Sequence, residues 1–164
     1  GGNNEEYFSK ALPAFLSLLE QSSLSEYIIL FQQHPGAKAK DRDADLLRKW
    51  LISHREKAPT VVISDRSSEE ALIVADAALY YQTSMGPLFA LASIPCIQVG
   101  HETYEDILVR SKIAPSVTKK EEFLSEVKKI GKESSKTSKE VIFSQLGINE
   151  NWQEALKRAI SSNG

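Results

Sequence analysis

The sequence predicts a three-layer α/β domain with a mainly parallel sheet. Short apolar runs alternate along the chain with segments in which apolar residues recur at helical spacing. This alternation is typical of parallel strands joined by right-handed helical crossovers. The first run, residues 27–31, is apolar at every position, as expected for a strand that helices cover on both faces.

The strands are expected where apolar runs end in polar or glycine-containing turns. Four runs fit this pattern, and we expect them to lie parallel in one sheet: residues 27–31, 60–63, 77–81 and 96–99. Residues 113–117 are interrupted by Pro115, which suits an edge strand because proline cannot donate a ladder hydrogen bond.

The helices are expected from apolar stripes and from start signals. Residues 5–21 carry such a stripe, formed by Phe8, Leu12, Phe15 and Leu19. Pro13 within this segment implies a kink or a late start. A second helix opens with Asp41, Asp43 and Asp45, which favour its amino-terminal dipole, and its apolar face carries Leu47, Trp50, Leu51 and His54.

Two capping boxes mark further helix starts, Ser67 with Glu70 and Thr118 with Glu121. The first opens a short helix that runs to Val74. The remaining helices are expected at residues 86–92, 118–131, 138–146 and 150–161.

Length and composition narrow the classes of function. With 164 residues, one domain is expected, with a core over 5–131 and terminal helices over 138–161, as a fragment of a larger protein. The net charge of −2 argues against a nucleic-acid binder. No apolar run is long enough to form a transmembrane segment. The single cysteine, Cys96, suits a buried small hydrophobe and a cytoplasmic setting.

Polar residues follow each predicted strand, at the edge where open α/β sheets bind ligands. Residues 82–86 are the strongest candidate, because hydroxyls and helix N–H groups there suit a phosphate. The alternative is plain helix capping by Thr83 or Ser84. After the first strand, His34 can donate a hydrogen bond to a phosphate or act as an acid or base. The alternative is a simple turn set by Pro35 and Gly36. The remaining candidates are Ser67 and Thr103. The alternative for Ser67 is helix capping, and the alternative for Thr103 is a polar loop without a ligand.

No metal or cofactor site is expected. Asp41, Asp43 and Asp45 resemble a calcium loop, but Leu46 and Ile52 stand where glycine and glutamate are needed. These aspartates are therefore interpreted as solvated acids at a helix start. The histidines lack the spacing of metal ligands.

The order of these motifs resembles the Rossmann-like C-terminal half of GT-B glycosyltransferases, and it is similar to the related UDP-GlcNAc 2-epimerases. The resemblance covers roughly residues 5–131. It implies a nucleotide-sugar donor, UDP- or CMP-linked, that binds against a second, N-terminal domain. The residues it implies at the phosphate or in the neighbouring Thr-x-Glu loop are His34, Pro35, Ser67, Thr83, Ser84, Met85, Gly86, Thr103 and Glu105.

Two positions depart from that family pattern. Leu88 stands where the resemblance expects a ribose-binding glutamate, and Ser93 stands where it expects a glycine. A non-catalytic binding or scaffold domain with the same fold is therefore the alternative function. A response-regulator-like domain fits the layers, but it needs several acids at strand ends, and only Asp65 closely follows a strand.

Overall fold

A computed structural model describes residues 5–21, 24, 26–32, 42–56, 58–64, 68–83, 85–99, 105–130, 139–147, 151, 154 and 161. The chain is an α/β protein with parallel strands, as the sequence predicts. The strands are β1 Ile28–Gln32, β2 Thr60–Ser64, β3 Ala78–Tyr80, β4 Cys96–Val99 and β5 Ser116–Val117. The helices are α1 Leu12–Gln21, preceded by a π-helical turn Tyr7–Ala11, α2 Arg42–Ser53, α3 Ser68–Val74, α4 Gly86–Leu91, α5 Ile107–Arg110, α6 Lys120–Val127 and α7 Lys139–Leu146.

The expectation of one continuous sheet is wrong. The strands form two hydrogen-bonded sheets, a two-stranded sheet β1-β2 and a three-stranded sheet in the order β3-β4-β5. Ile28 is in register with Thr60 in the first sheet, and Ala78 is in register with Cys96 in the second. The two-residue strand β5 lies at the edge of the second sheet, which agrees with the marginal edge strand predicted around Pro115.

Helices cover the two sheets unequally. On the first face, α1 packs over both sheets, because Leu19 shares a core with Ile97 and Val99 of β4 and with the half-buried Ile29 of β1. On the second face, α4, α5 and α7 cover the three-stranded sheet, through a core built from Tyr80, Ala90, Cys96, Leu108, Ala114 and Ile142. Strand β4 is therefore buried at every position.

The first helix is continuous through Pro13, but it changes its hydrogen-bond register just before it. Over Tyr7–Ala11 it is a π-helix, and the Leu12 N–H donates to the Tyr7 carbonyl, five residues back. Proline has no N–H to give to the carbonyl four residues back, and its ring crowds that carbonyl. The wider turn accommodates this conflict, as single π-turns within helices do. The predicted kink is thus a local change of register.

One predicted helix start is wrong. The box Thr118 with Glu121 does not cap α6, whose N-cap residue is Lys119, without a side-chain cap hydrogen bond. A cap contributes about 1 kcal/mol, whereas α6 buries Phe123 and Val127, each of which contributes about 1.5–3 kcal/mol. Burial of Phe123 and Val127 therefore stabilises this helix more than the missing cap would. Ser67, the cap residue of the other box, lies outside the described residues.

A side chain at Gly86, the first residue of α4, is expected to be costly because it would displace Leu108. A Cβ at this position would lie 2.9 Å from Cδ1 of Leu108, which is fully buried. Gly86→Ala should therefore lower the free energy of unfolding by about 1–3 kcal/mol, measured by urea denaturation. In a Leu108→Val background the same change should cost little, because the contacting methyl is gone. An equal cost in both backgrounds would contradict this steric explanation.

In the part of the chain that the structure describes, no helix is long and apolar enough to span a bilayer.

Candidate functional site at the carboxyl edge of the strands

The structure describes only some of the predicted site residues. Thr83, Met85 and Gly86 follow β3 and lie at its carboxyl end. Glu105 is described and exposed. The other candidates lie outside the described residues: His34, Pro35, Ser67, Ser84 and Thr103. Their expected gathering at this edge stays a prediction.

The loop before α4 contains an internal hydrogen bond. The Met85 N–H donates to Oγ1 of Thr83 at 3.0 Å. Met85 is the N-cap residue of α4 and makes no side-chain cap hydrogen bond, and a proline stands in the first turn. A phosphate at this turn would accept from the Thr83 hydroxyl and from the Gly86 N–H. It would also compete with Thr83 for the Met85 N–H, since capping and anion binding use the same donors.

Gln98 of β4 holds the start of this loop. Its side chain is fully buried, and Nε2 donates to the Tyr81 carbonyl at 3.2 Å. The Oε1 atom of Gln98 is buried without a hydrogen-bond partner among the described residues. A buried amide that keeps one bond and lacks another is costly relative to an apolar residue. Gln98 is therefore a positioning residue for the segment that leads to Thr83.

Three elements meet beside Tyr81. The Tyr7 ring lies 6.2 Å from the Tyr81 ring, which brings the beginning of the first helix to the carboxyl end of β3. Burial raises the pKa of the Tyr81 hydroxyl, and the negative charge of Glu6 and a hydrogen bond to it add to the shift. Burial also raises the pKa of Tyr7, with a further contribution from the charge of Asp43 at the start of α2. Both hydroxyls are uncharged at neutral pH, as tyrosine hydroxyls ordinarily are, and that of Tyr81 is hydrogen-bonded to Glu6.

Asp43 corrects the expectation of solvated acids at the start of α2. Only 2% of this residue is exposed. Its Oδ1 accepts from the Ala44 N–H at 2.9 Å, while Oδ2 is buried without a hydrogen-bond partner among the described residues. Asp45 behaves as expected, since it is exposed and pairs with Arg48 at 2.8 Å.

Arg42, at the start of α2, contacts the beginning of the first helix on the solvent side. Its Nη1 lies 2.7 Å from Oε1 of Glu5, and its guanidinium carbon lies 4.1 Å from the centre of the Phe8 ring. The hydrogen bond from Arg42, followed by its positive charge, lowers the pKa of the Glu5 carboxyl. Both groups face solvent, so salt screens this pair and its contribution to stability is small.

Two cavities lined by described residues lie elsewhere. One, of about 160 Å³, lies at the opposite edge, where β4 and β5 begin, and its lining includes Pro95, Cys96 and Pro115. The other is a groove between α1 and α2 beside Trp50 and His54. No group of three or more potential metal ligands occurs among the described residues.

The sequence analysis did not predict the burial of Asp43 and Gln98, although the sequence contains a signal for each. Asp43 lies four residues before Leu47, on the apolar face of α2, so helical spacing places it inside. Gln98 interrupts the apolar run 96–99, where a polar side chain has to find buried partners.

No protein-family model, curated protein or solved structure matches this chain. The structure itself shows the class of the protein, an α/β protein with parallel strands.

Proposed function

We propose that this chain is a nucleotide-sugar donor-binding domain that takes the donor phosphate at the carboxyl edge of its strands. The observation that carries the proposal is the position of the Thr83–Gly86 loop. This loop follows a parallel strand and opens a helix, and Gln98 holds its beginning. Ligands of open α/β sheets bind at this edge.

The chemistry of the edge fits a phosphorylated ligand that also carries hydroxyls. Thr83 and the N–H of Gly86 are donors, as a phosphate requires. Tyr7 and Tyr81 lie beside this edge and carry no negative charge that would repel a phosphate at neutral pH. His34, Pro35, Ser67, Ser84, Met85 and Thr103 complete the proposed site by the resemblance to GT-B proteins. In that resemblance an N-terminal domain closes the cleft, so this chain alone should bind without catalysing. The proposal includes a cytoplasmic location.

The experiment is a titration with UDP and CMP, followed by amide chemical shifts. We expect shifts at Thr83, Met85 and Gly86, and Thr83→Val should weaken binding about tenfold through the lost hydroxyl. Thr60→Val, at the amino end of β2, is the matched control and should leave binding unchanged. Ser84→Ala and His34→Ala test the two sequence-predicted contacts. An absence of shifts with both nucleotides would contradict the proposal.

Leu88 supplies a gain-of-function test. It is 43% exposed on α4, where the family pattern has a carboxylate that accepts the ribose hydroxyls. Leu88→Glu should strengthen nucleotide binding about tenfold to a hundredfold, the range expected for one added charged hydrogen bond. Ile107→Glu makes the same charge change at a residue of similar exposure, 45%, and should have no such effect.

The alternative is a scaffold domain that keeps this fold without a ligand. The exposed Leu88 favours it, because an apolar side chain replaces the expected acceptor. Unchanged spectra with nucleotide, both before and after Leu88→Glu, would select this alternative.

A further inference from the structure

The cavity at the amino edge of the three-stranded sheet is separate from the proposed phosphate site. Its volume is about 160 Å³, and Cys96, the first residue of β4, lies in its wall. Strand β4 spans four residues, so its two ends lie about 10 Å apart. A ligand in this cavity therefore does not meet the loop that contains Thr83.

Apolar side chains form most of the wall of this cavity. Ala90 of α4, Ile97 of β4 and Ile142 of α7 are buried, and Ile113, just before β5, is half-buried. In other proteins, apolar cavities of about 150 Å³ take up benzene or xenon rather than water. The cavity at the amino edge has the volume and the lining for a ligand of this kind.

Two loops with the same backbone structure border the cavity. Helices α4 and α5 are each followed by a residue with left-handed backbone, Ser93 at φ 60° and Lys112 at φ 57°. The next N–H, that of Ile94 or Ile113, donates to the carbonyl five residues back, at 2.9 and 2.8 Å respectively. This is the Schellman motif, and its second hydrogen bond is present in both loops. The two motifs fix the loops in place, so the wall is formed before a ligand binds.

These loops offer no free backbone N–H to a ligand over residues 93–95 and 112–115. Five N–H groups donate to carbonyls of the preceding helix: those of Ser93, Ile94, Lys112, Ile113 and Ala114. Pro95 and Pro115, which follow, have no N–H. An anion such as phosphate finds no backbone donor in these loops, in contrast to the loop before α4.

The charged groups at the border of the cavity are paired with each other. Nζ of Lys129 lies 2.6 Å from Oε1 of Glu126, at the end of α6. This pair has no net charge, so it does not favour an ion of either sign. Residues 131–138, which connect α6 to α7, contain no large apolar side chain. This connection therefore supplies no apolar group that could fill the cavity.

We propose that the cavity at the amino edge binds a small, uncharged, apolar molecule of about the size of a benzene ring. The volume sets the size of the ligand. The bonded N–H groups and the two prolines argue against an anion, and the Glu126–Lys129 pair leaves no net charge for an ion. The inference goes beyond the proposed function and holds whether or not a nucleotide binds.

The test is a titration of the 164-residue chain with benzene, followed by NMR of the side-chain methyl groups. We expect shifts of the Ile94, Ile113 and Ile142 methyl signals, and nuclear Overhauser contacts from benzene protons to these methyls. Benzene should also raise the midpoint of thermal unfolding, because it binds the folded state. Benzoate and benzylamine carry a charge on the same ring and should bind more weakly by about tenfold or more, since burial of a charge is costly.

A matched pair of variants locates the ligand. Ala90→Leu adds an isopropyl group inside the cavity and should weaken benzene binding by about tenfold or more, because packed interiors have little spare space. Ala92→Leu makes the same change at the exposed C-cap residue of the same helix and should leave binding unchanged. The nuclear Overhauser contacts in the unmodified chain decide the question if Ala90→Leu does not fold.

The other outcomes overturn the proposal. Unchanged methyl signals in water saturated with benzene would mean that the cavity takes no such ligand. Equal binding by Ala90→Leu and the unmodified chain would place benzene elsewhere. Tighter binding of benzoate than of benzene would make Lys129 an anchor for an anion. Contacts from apolar side chains of residues 148–164 to these methyls would assign the cavity to the chain itself.

Discussion

Replacing Phe123 with alanine is expected to lower the free energy of unfolding by about 3–5 kcal/mol. Phe123 is fully buried. It joins α6 to Val99 of β4, to Val117 of β5 and to Leu19 of α1 in one core. Truncation removes the transfer free energy of the ring and leaves a cavity between three elements that other contacts hold in place. The surrounding side chains can therefore collapse only partly into the space.

Urea denaturation followed by circular dichroism measures this loss. Phe123→Leu keeps most of the apolar volume and should cost clearly less than the alanine change, about 1–2 kcal/mol. Ile52→Ala, at a position that is 79% exposed, is the surface control and should change stability by less than about 0.5 kcal/mol. A loss at Phe123→Ala no larger than that at Ile52→Ala would show that this core is not packed as described.

The sequence predicted the elements of the fold because their signals are local. Strand β4 begins and ends where the apolar run 96–99 does, and the predicted helix to Val74 is present. The stripe Phe8, Leu12 and Leu19 is buried as helical spacing requires. In each case, the side chains that become buried lie within one short segment. Their spacing along the sequence therefore predicts whether that segment is a helix or a strand.

The arrangement of the strands could not be read in this way. Whether β1 pairs with β3 depends on tertiary contacts between segments that are distant in sequence. The apolar pattern of a single strand does not predict such contacts. Residues 27–31 were expected to be covered on both faces, yet Ile28 is exposed while Phe31 is buried. An apolar run predicts that its side chains are buried, but it does not predict which helix or strand packs against them.

The site was predicted only in outline. The loop after β3 is where the sequence placed it, and Thr83 accepts the Met85 N–H, which is the local bond that a hydroxyl two residues earlier commonly makes. The four-residue helix α5 was missed, although Asp106 caps it by accepting from the Val109 N–H. So short a helix has too few positions to show an apolar period, and its cap is the only signal.

Raising the pH from 9 to about 12 is expected to remove about 3 kcal/mol of stability through Cys96 alone. Burial, with a smaller contribution from the charge of Asp106, raises the pKa of this thiol from its ordinary value of 9.0 to about 12. Above pH 9 the unfolded chain releases a thiol proton that the folded chain retains. The unfolded state then binds fewer protons, so the free energy of unfolding falls by about 1.4 kcal/mol per pH unit. Below pH 9 both states keep the proton and the contribution is fully present.

Two variants separate this effect from general alkaline denaturation. Cys96→Ala should be less stable at pH 7, because it removes a buried sulfur atom, but its stability should fall less steeply from pH 9 upward. Tyr7→Phe should flatten the fall only above pH 10, since the ordinary tyrosine pKa is 10.0 and burial raises that of Tyr7. The measurement is urea denaturation at half-unit steps of pH under reducing conditions. Parallel curves for Cys96→Ala and the unmodified chain between pH 9 and 11 would mean that the thiol titrates alike in both states, and that Cys96 is not enclosed between β4 and the helices of the second face.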